Sequence, residues 1–378
     1  MPKRLFLSHT AEASGAELAL LRLTKCMDRD KTTVLFAADG PLVSEFRRAG
    51  IDVHVVQANS GSLNVKRGDR SVIRLVRSLV SLISYGWKLG ALVRDSHVTV
   101  VVAYSVKSMI YGAIAARRAR VPLVWSVHDR IAVDYFGISV TFILRVLGRL
   151  LPQALIVNSK STLATICAAG KPTLVLAPGI ETNNDQNVRS RDRPLKRVAM
   201  IGRLSPWKGQ MQFIEAFEQA FSGSTVEAVV VGGALFGEEA YEKALMDRVA
   251  SGTCSGQIHF TGAIEDVKGL LDSCEVLVHA SIIPEPFGAV VVEGLDAGCA
   301  VIATYPGGPA EVITDGVDGL LVPCGDINAL AEALQRLYQD GDLREKLSCA
   351  GIARSKDYDV ALLAREAEGW LELLERRK

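Results

Sequence analysis

The segment Glu285-Pro286-Phe287-Gly288, continuing through Ala289–Val292 to Glu293, concentrates residue types that could do chemistry. It follows an apolar strand-like run and precedes an apolar helical one, so Gly288 opens a helix. The free backbone N–H groups and the positive end of the helix dipole suit a phosphate without any side-chain charge. Glu285, just ahead of the helix, could accept hydrogen bonds from sugar hydroxyls. Glu293 lies about two turns further on, where a carboxylate could take two ribose hydroxyls. Taken alone, the pair reads equally well as a helix-start carboxylate and a surface residue.

Such residues need strand ends to carry them. Arg4–Ser8 reads as a short strand, the turn at Ser14-Gly15 follows, and Ala16–Cys26 has helical spacing. Thr33–Ala37, Val53–Val56, Val98–Val102, Leu123–Val127 and Ala154–Val157 recur as short β-rich runs with helical patterns between them, the pattern of a parallel sheet wrapped by helices. The polar stretch Glu181–Arg193 reads as an interdomain linker. The alternation then restarts, with strands at Arg197–Ile201, Glu227–Val231, Ile258–Phe260, Val276–His279 and Ala300–Ala303. Helices are predicted at Gly209–Ala220, Glu238–Ala250, Val267–Asp272, Ala289–Ala297 and Asn328–Gln339. Two such series imply an α/β fold of two Rossmann-like, doubly wound domains facing a central cleft, with ligands beyond the carboxyl ends of the strands.

Composition agrees with this division. A chain of 378 residues exceeds one ordinary core. Only Leu5–Leu7 follow Lys3 and Arg4 as an apolar run, so no signal peptide is expected, and no stretch is apolar enough for a spanning helix. The seven cysteines are odd in number and lack C-x-x-C pairs, which fits reduced cytosolic thiols better than a disulfide frame or a zinc site. The net charge of +1 conceals an asymmetry: residues 1–170 carry +12, from 23 Lys+Arg against 11 Asp+Glu, and the remainder carries −11. A basic half beside an acidic half points to an anionic partner, either phosphates or a membrane surface.

Beyond Glu285-Pro-Phe-Gly and Glu293, the string continues through Ala297-Gly-Cys-Ala-Val-Ile-Ala303, Gly307-Gly308, Glu311 and Asp315-Gly-Val-Asp-Gly319-Leu-Leu-Val322. Over about forty positions it resembles the donor-site signature of the family 4 glycosyltransferases, retaining enzymes of the GT-B fold, including their E-x7-E spacing. Gly202-Arg203-Leu-Ser-Pro-Trp-Lys208-Gly209 resembles the family's G-R-x-x-x-x-K-G loop, which implies that Arg203 and Lys208 hold the donor diphosphate. Two fixed cations suit that task, since charge grows on the diphosphate as the glycosidic bond breaks. The resemblance further implies that Phe287 and Gly288 complete the diphosphate cradle, with Glu285 on the transferred sugar and Glu293 on the ribose.

Gly232-Gly233 stand where the family carries glycines facing the nucleotide, although a tight turn would use them equally. Ala263-Ile264-Glu265-Asp266 resembles the segment contacting the base, with Ile264 the plausible side-chain contact. The N-terminal half matches more loosely. Ser14-Gly15-Ala16-Glu17 occupies the first glycine-rich turn, with close phosphate approach assured only at Gly15. His128-Asp129 matches the family's His-Asp, which implies that His128 touches the transferred sugar. Asn158-Ser159 also fits the pattern and more naturally shapes the site than reacts.

The D-x-D strings at Asp28, Asp340 and Asp357 lie in helix ends or polar loops and read as solvated carboxylates, so no metal is expected. No G-x-G-x-x-G or G-x-x-x-x-G-K-[ST] string appears, against a dinucleotide oxidoreductase or P-loop NTPase.

The expectation is therefore a retaining hexosyltransferase using a nucleoside-diphosphate sugar, UDP- favoured over GDP-, in cell-envelope polysaccharide or glycolipid synthesis. The nucleotide sugar is a co-substrate and no other cofactor is implied. The expected domains are 1–182, reading the acceptor and carrying the returning helix 361–378, and 183–360, holding the donor. Three alternatives stay open: a tailoring transferase of a small secondary metabolite, an epimerase or hydrolase of the nucleotide sugar, and a non-catalytic nucleotide-sugar-binding protein. No nucleic-acid partner is expected.

Lys66, Arg67, Arg70, Arg74, Arg77, Lys88 and Arg94 stud an apolar segment that includes Trp87, and Arg145 and Arg149 do the same within Val140–Leu151. For either helix alone, the expected arrangement is apolar side on the sheet and Arg in water. The balance of +12 tips the reading towards a membrane surface or an anionic, lipid-linked acceptor. The expected location is cytoplasmic, peripheral on the inner face of the membrane.

Overall fold

The computed structural model describes residues 3–58, 72–168, 170–182, 194–234 and 237–376, and within 72–79 the backbone alone. Lys66, Arg67, Arg70 and residues 183–193 of the expected linker lie outside the described residues, as do the side chains of Arg74 and Arg77. The chain forms two compact units, Met1–Glu181 with Val360–Lys378, and Thr182–Asp359.

The first unit carries β1 (Lys3–Ser8), β2 (Thr32–Phe36), β3 (Asp52–Val55), β4 (Val98–Ala103), β5 (Leu123–Val127), β6 (Ala154–Val157) and β7 (Thr173–Val175). Their order is β3-β2-β1-β4-β5-β6-β7, with every pairing parallel. Near-continuous Val, Leu and Phe in these strands match a sheet covered on both faces. Alternate residues serve the two layers. Leu5, Leu7, Val101 and Ala103 pack with helices Val72–Asp95, Val106–Ala119 and Ile138–Leu150, while Phe6, Val100 and Val102 pack with Gly15–Lys25, Leu42–Arg48 and Val360–Glu375.

Helix Val360–Glu375 is therefore part of the first unit, through Leu363, Ala364, Ala367 and Leu371. Arg4, 1% exposed, faces it from β1 and donates to Glu368 and Glu372 at 3.2 Å and to Glu375 at 3.3 Å. The spacing of the three glutamates puts them on one helix face opposite a single guanidinium.

The second unit carries β8 (Arg197–Ile201), β9 (Glu227–Val231), β10 (Ile258–Gly262), β11 (Val276–Val278), β12 (Ala300–Tyr305) and β13 (Leu320–Pro323). The order β10-β9-β8-β11-β12-β13, again parallel throughout, reverses direction between β8 and β11. Such a switch point leaves a crevice at the carboxyl ends of those two strands.

Some elements escaped the sequence pattern. β7 is a three-residue edge strand, and β13 lies inside a string that reads as a motif. Asp315 and Asp318 there serve the fold, accepting from the Leu321 and Thr314 N–H groups at 2.9 and 2.7 Å. Helix Gly341–Ser355 mixes charged and apolar residues without a clear stripe and starts on the Asp340 cap. The expected orientation of helix Ile138–Leu150 is reversed in part. Thr141, Leu144 and Gly148 face inward, and Arg145 turns back to donate to the Ile131 and Thr165 carbonyls, leaving large apolar residues outside.

Candidate active site

In the second unit the loops after β8 and β11 meet because the two strands are neighbours, Val198 beside Val276 and Met200 beside Val278. The first loop runs through Gly202 and Arg203 to a single 3-10 turn, Pro206–Lys208, closed by Gly209 at φ +79°. A Cβ on Gly209 would lie 1.9 Å from the Ala280 carbonyl oxygen, so only glycine lets the two loops touch. The Ile282 N–H donates to the Trp207 carbonyl at 2.9 Å and fixes their register.

This approach delivers Lys208 to Glu285, with Nζ 2.5 Å from Oε1. The other carboxylate oxygen, Oε2, is held by Ser281 Oγ at 2.6 Å and His279 Nε2 at 2.7 Å. The Thr304 N–H points at His279 Nδ1 at 3.5 Å, so Nδ1 accepts and Nε2 carries the proton donated to Glu285. Burial works to raise the Glu285 carboxyl. The Lys208 charge, then His279, outweigh it and hold the group well below the usual carboxylate range. Glu285 is thus a fixed anion whose orientation is set on both oxygens.

The chain turns through Pro286 and Phe287 to Gly288, which caps helix Ala289–Asp296 in the left-handed region at φ +81°. Gly307 and Gly308 pack under this turn. The Gly308 N–H donates to the Glu285 carbonyl at 2.8 Å, and a Cβ on Gly308 would come within 2.3 Å of Phe287 Cα. The Phe287 ring is buried against Tyr358. Gly288 brings the helix N-terminus over His279, with its position for a Cβ 3.6 Å from Nε2. Glu293 is half-buried in the second turn of that helix.

The remaining second-unit candidates are tied together by main chain. The Gly202 N–H donates to the Val231 carbonyl and the Gly232 N–H to the Gly262 carbonyl, both at 2.9 Å. A Cβ on Gly232 would sit 2.1 Å from the Gly202 oxygen, so this glycine serves loop contact. Ile264 is half-buried in the otherwise exposed loop after β10, where Asp266 caps the next helix. Arg203 lies between Gly202 and the buried Leu204, its carbonyl accepting from Gln210 at 2.9 Å.

His128 and Gly15 belong to the first unit, His128 directly after β5 and Gly15 at the start of the helix that follows β1. His128 stacks on Tyr104 with ring centroids 4.9 Å apart, and its Nε2 is 2.9 Å from Ser126 Oγ. Burial lowers its pKa to about 4, so the imidazole is neutral near pH 7. Asn158 donates to the His128 carbonyl at 3.1 Å, a shaping role, and Ser159 caps helix Lys160–Leu163. Gly15 opens its helix, and a Cβ there would meet no atom within 4 Å. Glu17, in the first turn, is buried against Ser8 and Ser14, and burial raises its carboxyl.

His279, Ser281 and Thr304 were not singled out in the sequence, and neither was Tyr104. A signal for the first two did exist: His279-x-Ser281-x-x-x-Glu285 begins where an apolar strand ends. Among the described residues, no three His, Cys, Asp or Glu side chains converge as a metal site requires, and no helix is long and apolar enough to cross a membrane.

Comparison with known proteins places this geometry. Residues 181–354 match the family described as glycosyl transferases group 1, and residues 41–184 match glycosyltransferase family 4. The chain is 31% identical over 175 residues to a phosphatidyl-myo-inositol mannosyltransferase of Mycobacterium leprae, covering 45% of each protein. It is 28% identical over 180 residues to a Campylobacter jejuni protein named GalNAc-alpha-(1->4)-GalNAc-alpha-(1->3)-diNAcBac-PP-undecaprenol alpha-1,4-N-acetyl-D-galactosaminyltransferase, covering 47% of each. The matches thus span about half the length of these curated relatives. Among solved structures, Anabaena HepE in complex with UDP and glucose superposes with a TM-score of 0.83 at 27% identity, covering 98% of this chain and 100% of that one. Two Rossmann-like units, an anionic Glu285 held by a lysine at a topological switch point, and family matches running in succession from residue 41 to 354 lead to one assignment: the chain belongs to the family 4 glycosyltransferases of the GT-B type.

Proposed function

We propose that the chain is a retaining glycosyltransferase that moves a sugar from a nucleoside-diphosphate sugar, UDP- in preference to GDP-, to a hydroxyl acceptor. The observation that carries this reading is the Lys208–Glu285 contact at the β8/β11 switch point, beside the N-terminus of helix Ala289–Asp296. Lys208 and Arg203 take the diphosphate, and the N–H groups from Gly288 onward complete its cradle with Phe287 behind them. Glu285 accepts from hydroxyls of the transferred sugar. Glu293 takes the ribose, with Gly232 and Ile264 bordering the nucleotide.

Binding the donor gives Lys208 a second anion to serve, and its charge matters most as negative charge builds on the departing diphosphate. Neutral His128 is suited to donate or accept a hydrogen bond at the sugar, and Gly15 leaves room for the phosphates. The leaving phosphate oxygen takes the acceptor proton, so the bond to the sugar forms on the face from which the diphosphate leaves. Neither a metal nor a further cofactor is part of this scheme.

The UDP preference draws on HepE, solved with UDP and glucose and with UDP-glucose. A lipid-linked acceptor in polysaccharide or glycolipid synthesis draws on relatives whose names specify undecaprenol diphosphate and phosphatidyl-myo-inositol. The basic first unit, which reads this acceptor, is proposed to work at a membrane surface. The test is nucleoside diphosphate release from UDP- and GDP-sugars with lipid-linked acceptors, followed by the anomeric configuration of the product. An α-linked donor should give an α-linked product. A β-linked product would contradict retention, and equal release without acceptor would mark a hydrolase.

A further inference from the structure

Helix Ile138–Leu150 is apolar on two sides. Thr141, Leu144 and Gly148 face the sheet, and Gly148 sits so close to Trp125 that a Cβ would lie 2.6 Å from the ring. On the opposite side stand Ile138, Phe142, Ile143, Val146 and Leu150, with Ile138 75%, Phe142 70% and Leu150 69% exposed. A surface helix ordinarily turns polar residues outward, and a contiguous outward apolar stripe marks an interaction site. In the same layer, helix Val72–Asp95 exposes Val80, Ile83 and Trp87 at helical spacing, with the Arg118 guanidinium 4.2 Å over the Trp87 ring.

Charge identifies the occupant. The three helices of this layer, Val72–Asp95, Val106–Ala119 and Ile138–Leu150, contain nine Lys or Arg and a single acid, Asp95. The three on the other face of the same sheet, Gly15–Lys25, Leu42–Arg48 and Val360–Glu375, contain five Lys or Arg and six Glu. Exposed apolar residues and excess positive charge thus coincide on one layer. A partner protein core would favour the stripe alone, whereas an anionic lipid surface satisfies both features.

We propose that this helical layer is a membrane-docking surface, in which Ile138, Phe142, Val146 and Leu150 enter the headgroup–acyl boundary of an anionic bilayer while Arg149, Arg117 and Arg118 engage lipid phosphates. The surface lies on the sheet face of the first unit and shares no residue with the Glu285 site. It deepens the reading of a lipid-linked acceptor by naming how the enzyme reaches one, and its test uses no donor.

The experiment is co-sedimentation of the full chain with vesicles of phosphatidylglycerol mixed with phosphatidylcholine, against phosphatidylcholine alone. Wild type binds the anionic vesicles and releases partly at about 0.5 M salt, where charge is screened. Phe142→Ser/Leu150→Ser weakens binding about ten-fold or more, Arg149→Glu weakens it as well, and Leu373→Ser, an exposed leucine on the opposite layer, leaves it unchanged. Thermal melting of each variant establishes that it is folded. The proposal is overturned if wild type ignores anionic vesicles, if Phe142→Ser/Leu150→Ser binds as wild type does, or if that variant converts a stable wild-type dimer to monomer, which would assign the stripe to a second copy. Donor turnover, measured separately, tells a failed surface from a failed catalytic reading.

Discussion

Lys208 Nζ lies 2.5 Å from Glu285 Oε1 across 77 residues of sequence. The pair exists because β8 and β11 are neighbours at the switch point and because Gly209 admits the Ala280 carbonyl. His279 and Ser281 then fix the second oxygen, so the carboxylate is oriented before any ligand arrives. Preorganised charge of this kind needs no rearrangement as the reaction proceeds.

Replacing Glu285 by Gln keeps the shape and removes the charge. Turnover should fall by about a hundred-fold or more, with the fold retained by circular dichroism. His279→Ala frees Oε2 and should lower kcat/KM by about ten- to a hundred-fold through misplacement alone. Steady-state kinetics on purified variants provides the check, and near-normal turnover of Glu285→Gln removes this carboxylate from the mechanism.

Gly209→Ala places a Cβ against a carbonyl oxygen at positive φ. A loss of about 2–4 kcal/mol in stability is expected, together with weaker donor binding because Lys208 is adjacent. Gly15→Ala meets no neighbour and should stay within about 0.5 kcal/mol of wild type, its effect appearing in turnover. Urea denaturation of the two variants separates the cases, and equal midpoints would contradict the loop geometry.

Acid should destabilise the protein in two stages. His9 and His128 are lowered from 6.5 to about 4, chiefly by burial, so the native state binds fewer protons than the unfolded chain between those values. Stability is therefore full above pH 6.5 and declines towards 4, by about 2 kcal/mol per histidine at pH 5 and about 3 kcal/mol near pH 4. Glu285, held low, adds a further loss below about 4.5 as its charge is titrated, whereas Glu17, raised by burial, works in the opposite direction. Urea midpoints at pH 7 and 5 should differ in wild type and converge in His9→Asn/His128→Asn; a flat wild-type profile would refute the assignment.

Arg4→Met removes the guanidinium shared by three carboxylates of helix Val360–Glu375, leaving the Asp28 N–H on Glu368, Lys31 near Glu372 and the Thr99 hydroxyl on Glu375 as partners of those carboxylates. Their partial exposure tempers the penalty to about 2–3 kcal/mol. Limited proteolysis should then cut first near the C-terminus, and unchanged resistance would show that apolar packing alone holds the helix.

Much of this was legible in the sequence because parallel strands are near-continuous apolar runs, because Gly209 and Gly308 stand where backbones must approach closely, and because Gly288 starts its helix at positive φ. Glu285 and Lys208 stood out by spacing in their loops. His279 did not, since a histidine at the end of a valine-rich strand shows nothing of the carboxylate it will meet six residues later. The outward face of Ile138–Leu150 was misread because periodicity shows that a helix has an apolar side, not which of two apolar sides the sheet covers. Arg145 added to this, since its guanidinium caps carbonyls when its charge suggests solvent.

Donor binding through Lys208 is tested by thermal stabilisation with nucleotides in the absence of added metal, using UDP, GDP, ADP, TDP and their common sugar conjugates. A ligand that binds only the native state at about a hundred times its dissociation constant adds about 2.7 kcal/mol. Tm should rise clearly with UDP and UDP-sugars, less with GDP, and the rise should be lost in Lys208→Ala. No rise with any nucleotide, or an equal rise in Lys208→Ala, would contradict donor binding through Lys208.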